Sequence, residues 1–322
     1  MRTAQLKTRE LGATGMEITR VGFGAWAIGG GDWQFGWGPQ HDDESIASIH
    51  RALELGVNWI DTAAAYGFGH SEVIVGRALR GLGDRPYVFT KCSLLDDGTR
   101  HIRHSLKRDT IVREAEASLD RLGIDAIDLY QVHWPVPDSD IEEGWAAMAE
   151  LKERGLVRHI GVSNFSPAQL RRAQEIAPVE TIQPQYSLID RAAEAEILPQ
   201  AERDGIGAIV YSPMGSGLLT GGMTRERIAA MHDDDWRKSD RRFTEPQLSK
   251  HLALADRLRT VAARHDSTPG AVAVAWTLRN PAVSGAIVGF RSPAQVDPIL
   301  AAAGIELTSR EAAEIEAGNW AC

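Results

Sequence analysis

The chain has 322 residues, 43% of them hydrophobic and 25% charged, the profile of an ordinary globular protein. That length suits either two domains or one α/β barrel. Lys and Arg number 35 against 44 Asp and Glu, a formal charge of −9, which argues against a nucleic-acid binder, because few cations are left to displace phosphate counterions. Cys92 and Cys322, the only cysteines, are too few for a disulfide framework or a thiolate zinc site. There is no apolar leader, and no apolar stretch approaches the roughly 20 residues of a membrane span, so a cytoplasmic protein working away from membranes is expected.

Residues 6–11, a turn at 12–15 and Ile18 predict an N-terminal β-hairpin. Thereafter short apolar runs alternate with amphipathic stretches. The runs are residues 20–24, 58–61, 86–91, 126–133, 158–163, 181–186, 206–211 and 284–289. Each is four to eight residues long and several are rich in Val, Ile or Tyr, as strands buried on both faces are. Helical patterns fill the gaps at 43–55, 71–80, 110–122, 141–154 and 166–176. The last opens on Ser166-Pro167, with Ser at the N-cap and Pro at the first helical position. Eight strands, nearly all followed by a helix, predict a closed (β/α)₈ barrel. Residues 215–242 are too long for a plain connector and predict an active-site loop after the seventh strand; residues 308–317 predict a terminal helix outside the barrel count. With no repeat or linker, residues 1–322 read as one domain.

Two motif matches lose their meaning in this context. Gly22-Phe-Gly-Ala-Trp-Ala27 fits a permissive dinucleotide fingerprint, but the Gly-rich residues that follow cannot supply the helix N-terminus such a site needs. Tyr87-Val-Phe-Thr-Lys91 has the spacing of a helical Tyr/Lys pair, yet in a strand four residues span roughly 13 Å.

Barrels carry their chemistry at the C-terminal ends of the strands. The second strand ends in Asp61, with Tyr66 five residues on; the third ends in Lys91 and the fourth in His133. Singly, these read as a cap, a rim cation and a packed histidine. Together they suit carbonyl reduction. A free tyrosine titrates near pH 10; an adjacent ammonium, kept charged by Asp61, is expected to lower that value, and His133 would donate to the substrate carbonyl. The set provides a proton donor and no nucleophile, so hydride must come from a cofactor.

These motifs resemble the aldo-keto reductase family. Asp61-Thr-Ala-Ala-Ala-Tyr66-Gly, Phe89-Thr-Lys91, Asp128-Leu-Tyr-Gln-Val-His133-Trp-Pro, Gly161-Val-Ser-Asn-Phe165 and Tyr211-Ser-Pro-Met-Gly-Ser-Gly-Leu-Leu-Thr-Gly221 follow in family order over nearly the whole chain. The resemblance implies a (β/α)₈ barrel, NADPH as cofactor with NADH as an alternative, and reversible reduction of a small aldehyde or ketone. By position it implies Tyr66 as general acid with Asp61, Lys91 and His133 as partners, and Ser163 and Asn164 on the nicotinamide carboxamide with Gln183 beside them. It also implies Tyr211 stacked on the nicotinamide, Ser212, Gly217 and Leu218 near the pyrophosphate, and Arg291 and Gln295 at the adenosine phosphate. Pro298-Ile299 replaces a Glu-Asn pair of many members, so adenine contacts of that pair do not transfer. Trp26, Trp33, Phe35 and Trp37 after the first strand and Trp134 after the fourth predict an apolar substrate slot, with Trp26 also within reach of the cofactor. A non-catalytic, cofactor-sensing subunit of the same fold is the alternative, which the intact tetrad argues against.

Overall fold

The computed structural model describes residues 6–318 and 320; Cys322 lies outside them. In chain order the strands are β1 (Thr8–Glu10), β2 (Glu17–Thr19), β3 (Val21–Gly24), β4 (Trp59–Asp61), β5 (Tyr87–Cys92), β6 (Leu94–Asp96), β7 (Ile102–His104), β8 (Ile127–Val132), β9 (Val157–Ser163), β10 (Thr181–Gln183), β11 (Gly207–Val210) and β12 (Val283–Gly289). The helices are α1 (Asp42–Glu54), α2 (His70–Leu79), α3 (Arg108–Leu122), α4 (Ile141–Glu153), α5 (Pro167–Gln174), α6 (Ile197–Asp204), α7 (Arg225–Ala229), α8 (Gln247–Ala262), α9 (Pro269–Leu278), α10 (Val296–Leu300) and α11 (Ser309–Glu316). Strands β3, β4, β5, β8, β9, β10, β11 and β12 pair in that order, all parallel, and β12 returns to β3 to close the expected barrel.

Alternation along each strand sorts side chains between two cores. Outward residues such as Phe23, Ile60, Val88 and Val162 pack under the helices. Inward residues Trp59, Phe89, Leu129, Ile209 and Ile287 fill the barrel's lower interior, closed from below by Leu11, Met16 and Ile18 of the hairpin β1–β2. The Trp59 indole needs glycine on its neighbours: a Cβ on Gly22 would lie 2.1 Å from its ring and one on Gly285 2.9 Å. Its N–H donates to the Thr19 carbonyl at 2.8 Å. Counting on by two from Trp59, Phe89, Leu129 and Ile209, and from Thr181 on β10, the next inward residues are Asp61, Lys91, Gln131, Tyr211 and Gln183. The site is therefore the top layer of the barrel interior.

Three stretches differ from the sequence expectation. The sixth barrel strand stops at Gln183 instead of Tyr186, because Pro184 has no N–H to continue a central ladder. Residues 94–104, which lie outside every element the sequence predicts, form the antiparallel pair β6–β7. Their turn is built by carboxylates: Asp96 accepts from the N–H of Gly98 and Arg100, and Asp97 from that of Thr99. The long segment after β11 carries α7 and several 3₁₀ turns.

Glu114 of α3 is buried beneath β5. Its Oε2 accepts from the Ser93 N–H at 3.0 Å, while Oε1 has no partner among the described residues. Burial pushes this carboxyl up to about 8. The folded state thus holds a proton that the unfolded chain releases near its ordinary carboxylate value, so the stability tied to it is complete at acid pH and is lost as pH rises through about 8. Glu114→Gln, which carries no titrating proton, should flatten the decline of Tm between about pH 5 and 8; identical slopes for variant and wild type would refute this.

Candidate active site

Asp61, at the end of β4, and Lys91, on β5, are both buried and form an ion pair. The Lys91 ammonium also donates to the Thr62 carbonyl at 2.9 Å and meets the Tyr66 hydroxyl at 3.3 Å, so its three hydrogens are engaged. The other Asp61 oxygen, Oδ2, accepts from the side-chain amides of Gln183 at 2.8 Å and Gln131 at 3.4 Å. Tyr66 lies in the loop after β4. A Cβ on Gly67 (φ +62°) would meet the Gly29 carbonyl at 2.3 Å, so this loop presses against the one after β3. His133, just beyond β8, sets its ring edge-on to Tyr66 with centroids 5.7 Å apart. The four tetrad residues expected from the strand ends are thus brought together.

The protonation pattern is set chiefly by burial. Desolvation raises the Tyr66 phenol well above its ordinary 10, and the Asp61 charge adds to this. The sequence expectation that Lys91 brings the phenol below its usual value is not met in the closed cleft: desolvation of the phenolate outweighs the cation. Burial also lowers Lys91, with Asp61 opposing. It lowers His133 well below 6.5, helped by the Lys91 charge and His104. At neutral pH the cleft floor holds a protonated phenol and a neutral imidazole.

A cavity of about 740 Å³ runs from the tetrad across the barrel mouth to the turn after β12, well within the range of small-molecule sites. Ser163 and Asn164 lie together at the end of β9. Asn164 (φ +62°) donates to the His133 carbonyl and to Ser163 Oγ, both at 3.0 Å, and accepts from the Tyr211 hydroxyl at 2.9 Å. Beyond Tyr211 the backbone enters the left-handed region at Ser212, Gly215, Ser216 and Gly217, which turns main chain toward the cleft. Ser212 and Gly217 line it, but the Leu218 side chain is fully buried in the outer core and does not.

At the far end Arg227, Arg237, Arg242 and Arg291 border the cavity. Arg237 and Arg242 pair with Asp235 and Asp240. Arg227 donates to the Gly222 carbonyl at 3.0 Å and Arg291 to Gln40 Oε1 and the carbonyls of Trp37 and Pro39. No ion pair to a carboxylate is present at Arg227 or Arg291 among the described residues. Gln295 accepts from the Arg291 N–H at 2.8 Å and so closes this turn, with Pro298 and Ile299 making an apolar end wall. A left-handed Gly/Ser turn, two cations without ion-pair partners among the described residues and an amide-bearing pocket beside the tetrad suit a nicotinamide dinucleotide.

Residues 26–37 and 231–243 meet over the cleft. Trp26 stacks on Trp236 with centroids 5.2 Å apart, the Trp236 N–H donates to the Gly36 carbonyl at 3.1 Å, and the Asp32 N–H donates to Asp234 at 2.9 Å. Trp33 faces Tyr66 at 6.5 Å, and Trp134 stands at the rim, 41% exposed. Trp37, expected at the substrate slot, instead carries the Arg237 guanidinium 4.3 Å above its ring, on the arginine side. Sequence reasoning passed over Trp236, Arg237, Gln131 and the hairpin β6–β7. Only Gln131 left a usable signal: it is two residues before His133, hence on the same strand face, and its register partner is Lys91.

The aldo/keto reductase family model matches residues 20–319. The chain is 41% identical over 305 residues to the aldo-keto reductase YhdN of Bacillus subtilis, covering 94% of this chain and 90% of that one. It is 36% identical to an NADH-specific methylglyoxal reductase of Escherichia coli, covering 95% and 96%. Among solved structures it is similar to the glycerol dehydrogenase AKR11B4 from Gluconobacter oxydans, with a TM-score of 0.86, 37% identity and 98% and 95% of the two chains covered. A second, the aldo-keto reductase AKR11C1 from Bacillus halodurans in its holo form, gives a TM-score of 0.80 at 26% identity over 97% and 96%. With that fold, that cleft and these relatives, the chain belongs to the aldo/keto reductase family and is an NAD(P)H-dependent oxidoreductase acting on the carbonyl/alcohol couple.

Proposed function

We propose that Tyr66 is the general acid of carbonyl reduction and that NADPH is the preferred reductant. The observation that carries the first part is the 3.3 Å approach of the Lys91 ammonium to the Tyr66 hydroxyl at the cleft floor. When bound, a reduced nicotinamide supplies hydride to the carbonyl carbon. Tyr66 gives its proton to the carbonyl oxygen as the new C–H bond forms, and Lys91 steadies the phenolate left behind. Asp61 keeps Lys91 in place, and neutral His133 donates one N–H to orient the carbonyl. Ser163, Asn164 and Gln183 would hold the carboxamide, Tyr211 would flank the ring, and Ser212 and the Gly217 backbone would face the pyrophosphate. Trp26 closes this end from above.

The cofactor preference rests on charge. Arg227 and Arg291 border the cleft with no ion pair to a carboxylate among the described residues, which favours a ligand bearing an additional phosphate. One relative is named NADH-specific, so the family accommodates either choice. After Arg291 the chain makes a 3₁₀ turn, Pro293–Gln295, and continues only as the five-residue α10. The guanidinium, more than a helix dipole, is then the phosphate-reading element.

Tyr66→Phe should lower kcat by roughly 10²–10⁴-fold, the usual contribution of general acid catalysis, with NADPH affinity unchanged. A variant keeping more than about a tenth of wild-type kcat would refute the role. Since Tyr66 holds its proton through the neutral range, kcat for reduction should stay level there and fall only at alkaline pH, whereas alcohol oxidation should rise with pH. Lys91→Met should move the oxidation limb to still higher pH, and an unmoved limb in the folded variant would count against the coupling.

Arg291→Ala should weaken NADPH roughly 10- to 150-fold more than NADH, from about 1.5–3 kcal/mol of charge-assisted bonding. Both cofactors also lose the anchoring of residues 37–40. Fluorescence titration of each cofactor decides this: equal losses would show that Arg291 shapes the loop without reading the phosphate.

A further inference from the structure

A second cavity, of about 360 Å³, opens at the opposite end of the barrel, between β1, the end of α9 and residues 302–307. Arg20, which borders it, immediately precedes β3 and so marks the N-terminal ends of the strands. Lys7, Arg9 and Arg279 border it too, against the single carboxylate of Glu306, while Leu278, Ile305 and Leu307 supply apolar wall. The Arg20 N–H donates to the Lys7 carbonyl at 3.1 Å, which sets these two residues across the hairpin from each other. Arg9 follows Lys7 by two, the spacing of one strand face. Like charges placed this way repel.

Little in the fold offsets that repulsion. Lys7 pairs with Glu306 at the surface, and Arg279 meets Glu316 only at 3.9 Å. Arg9 and Arg20 have no ion pair to a carboxylate among the described residues. Both donate to the Val283 carbonyl, at 3.2 and 2.9 Å; Arg9 also donates to the Pro281 carbonyl and Arg20 to that of Leu278. Arg20 thereby caps the C-terminal end of α9, but a helix end carries only roughly half a negative charge, well short of two guanidiniums. A guanidinium also has more N–H donors than two carbonyls occupy. Burial, with Arg9 beside it, holds Arg20 down to about 10. Two adjacent cations thus keep donors in hand and lack a counter-charge.

We infer that this cavity binds a small organic phosphate, its phosphoryl group between Arg9 and Arg20 and its body against Leu278, Ile305 and Leu307. Guanidinium forks match phosphate oxygens, and a dianion supplies the counter-charge that two arginines lack, where a carboxylate would meet only one. Lys7 and Arg279 add longer-range attraction. With about half the volume of the cleft, the cavity suits a small ligand more than a dinucleotide. The site is independent of the reading of the cleft, since no tetrad residue borders it. Its occupant would tie the hairpin β1–β2 to α9 and residues 302–307, and so stabilise the folded chain.

The test is isothermal titration at pH 7, under saturating NADPH to fill the cleft, with phenyl phosphate, inorganic phosphate and benzoate. Phenyl phosphate should bind about tenfold or more tightly than either of the others, from its second charge and its buried ring. Arg9→Gln, at an exposed position, should weaken it by about 10- to 150-fold, the scale of charge-assisted bonds. Ala303→Glu, which puts a carboxylate on the cavity wall, should do the same without removing an arginine. Arg291→Ala, in the cleft, should leave it unchanged. Phenyl phosphate should raise the Tm of the wild type and not that of Arg9→Gln, and the Tm without ligand reports that each variant is folded. No binding to the wild type, or benzoate bound as tightly, overturns the phosphate site. Inorganic phosphate bound as tightly as phenyl phosphate overturns the apolar part of the assignment. A loss in Arg291→Ala with none in Arg9→Gln places the anion in the cleft and overturns the inference.

Discussion

Inside a closed barrel every second residue of every strand must point at one axis, and little room exists there. The lower layers use that room for hydrocarbon: Trp59 occupies space left open by Gly22 and Gly285, with Phe89, Leu129, Ile209 and Ile287 around it. The next layer up has no choice of direction, so polar residues at those positions converge whether or not they are near in sequence. Asp61, Lys91, Gln131 and Gln183 come from four strands and make one hydrogen-bonded cluster. A buried ion pair is costly when its remaining lone pairs are unmet. Here the two glutamine amides meet them, and the hydrocarbon floor beneath keeps the cluster from relaxing downward.

What the barrel does not supply comes from three insertions. The loop after β3, the hairpin β6–β7 and the segment after β11 together wall the cleft, and they divide its chemistry. Among the described residues the cations that border the cleft lie on the last of these and on the turn after β12, while the first two line it with carbon and backbone seams. The cationic end therefore suits phosphates, and the other end is walled by aromatic and aliphatic carbon. The dividing line passes near Trp26, which touches both Tyr66 and Trp236.

The split between barrel and insertions also decides what the amino-acid sequence reveals. Strands buried on both faces leave near-continuous apolar runs, so all eight barrel strands and the tetrad at their ends are legible directly. The hairpin β6–β7 is not: its strands have three residues each, are mostly exposed, and owe their turn to the side chains of Asp96 and Asp97. Trp236 and Arg237 read as part of a charged loop because their partners, Gly36 and Trp37, are two hundred residues away. The direction of the Tyr66 shift is hidden for a related reason. A lysine neighbour is visible in a sequence, whereas the loss of water around a phenol depends on how loops close above it.

An enzyme whose reactants are electrophiles exposes its own nucleophiles to them. Lys91 has the amine that an aldehyde would capture as an imine, and Cys92 has the thiol that would add to an aldehyde as a hemithioacetal. Both are about 1% exposed. The ammonium hydrogens are all engaged and the nitrogen has no lone pair to offer while they remain. Burial holds the Cys92 sulfur in its unreactive thiol form, turned toward the Gln131 carbonyl. Lys91, in the inward layer, and Cys92, on the outward face of the same strand, are thus both shielded from the electrophiles that the cleft takes up.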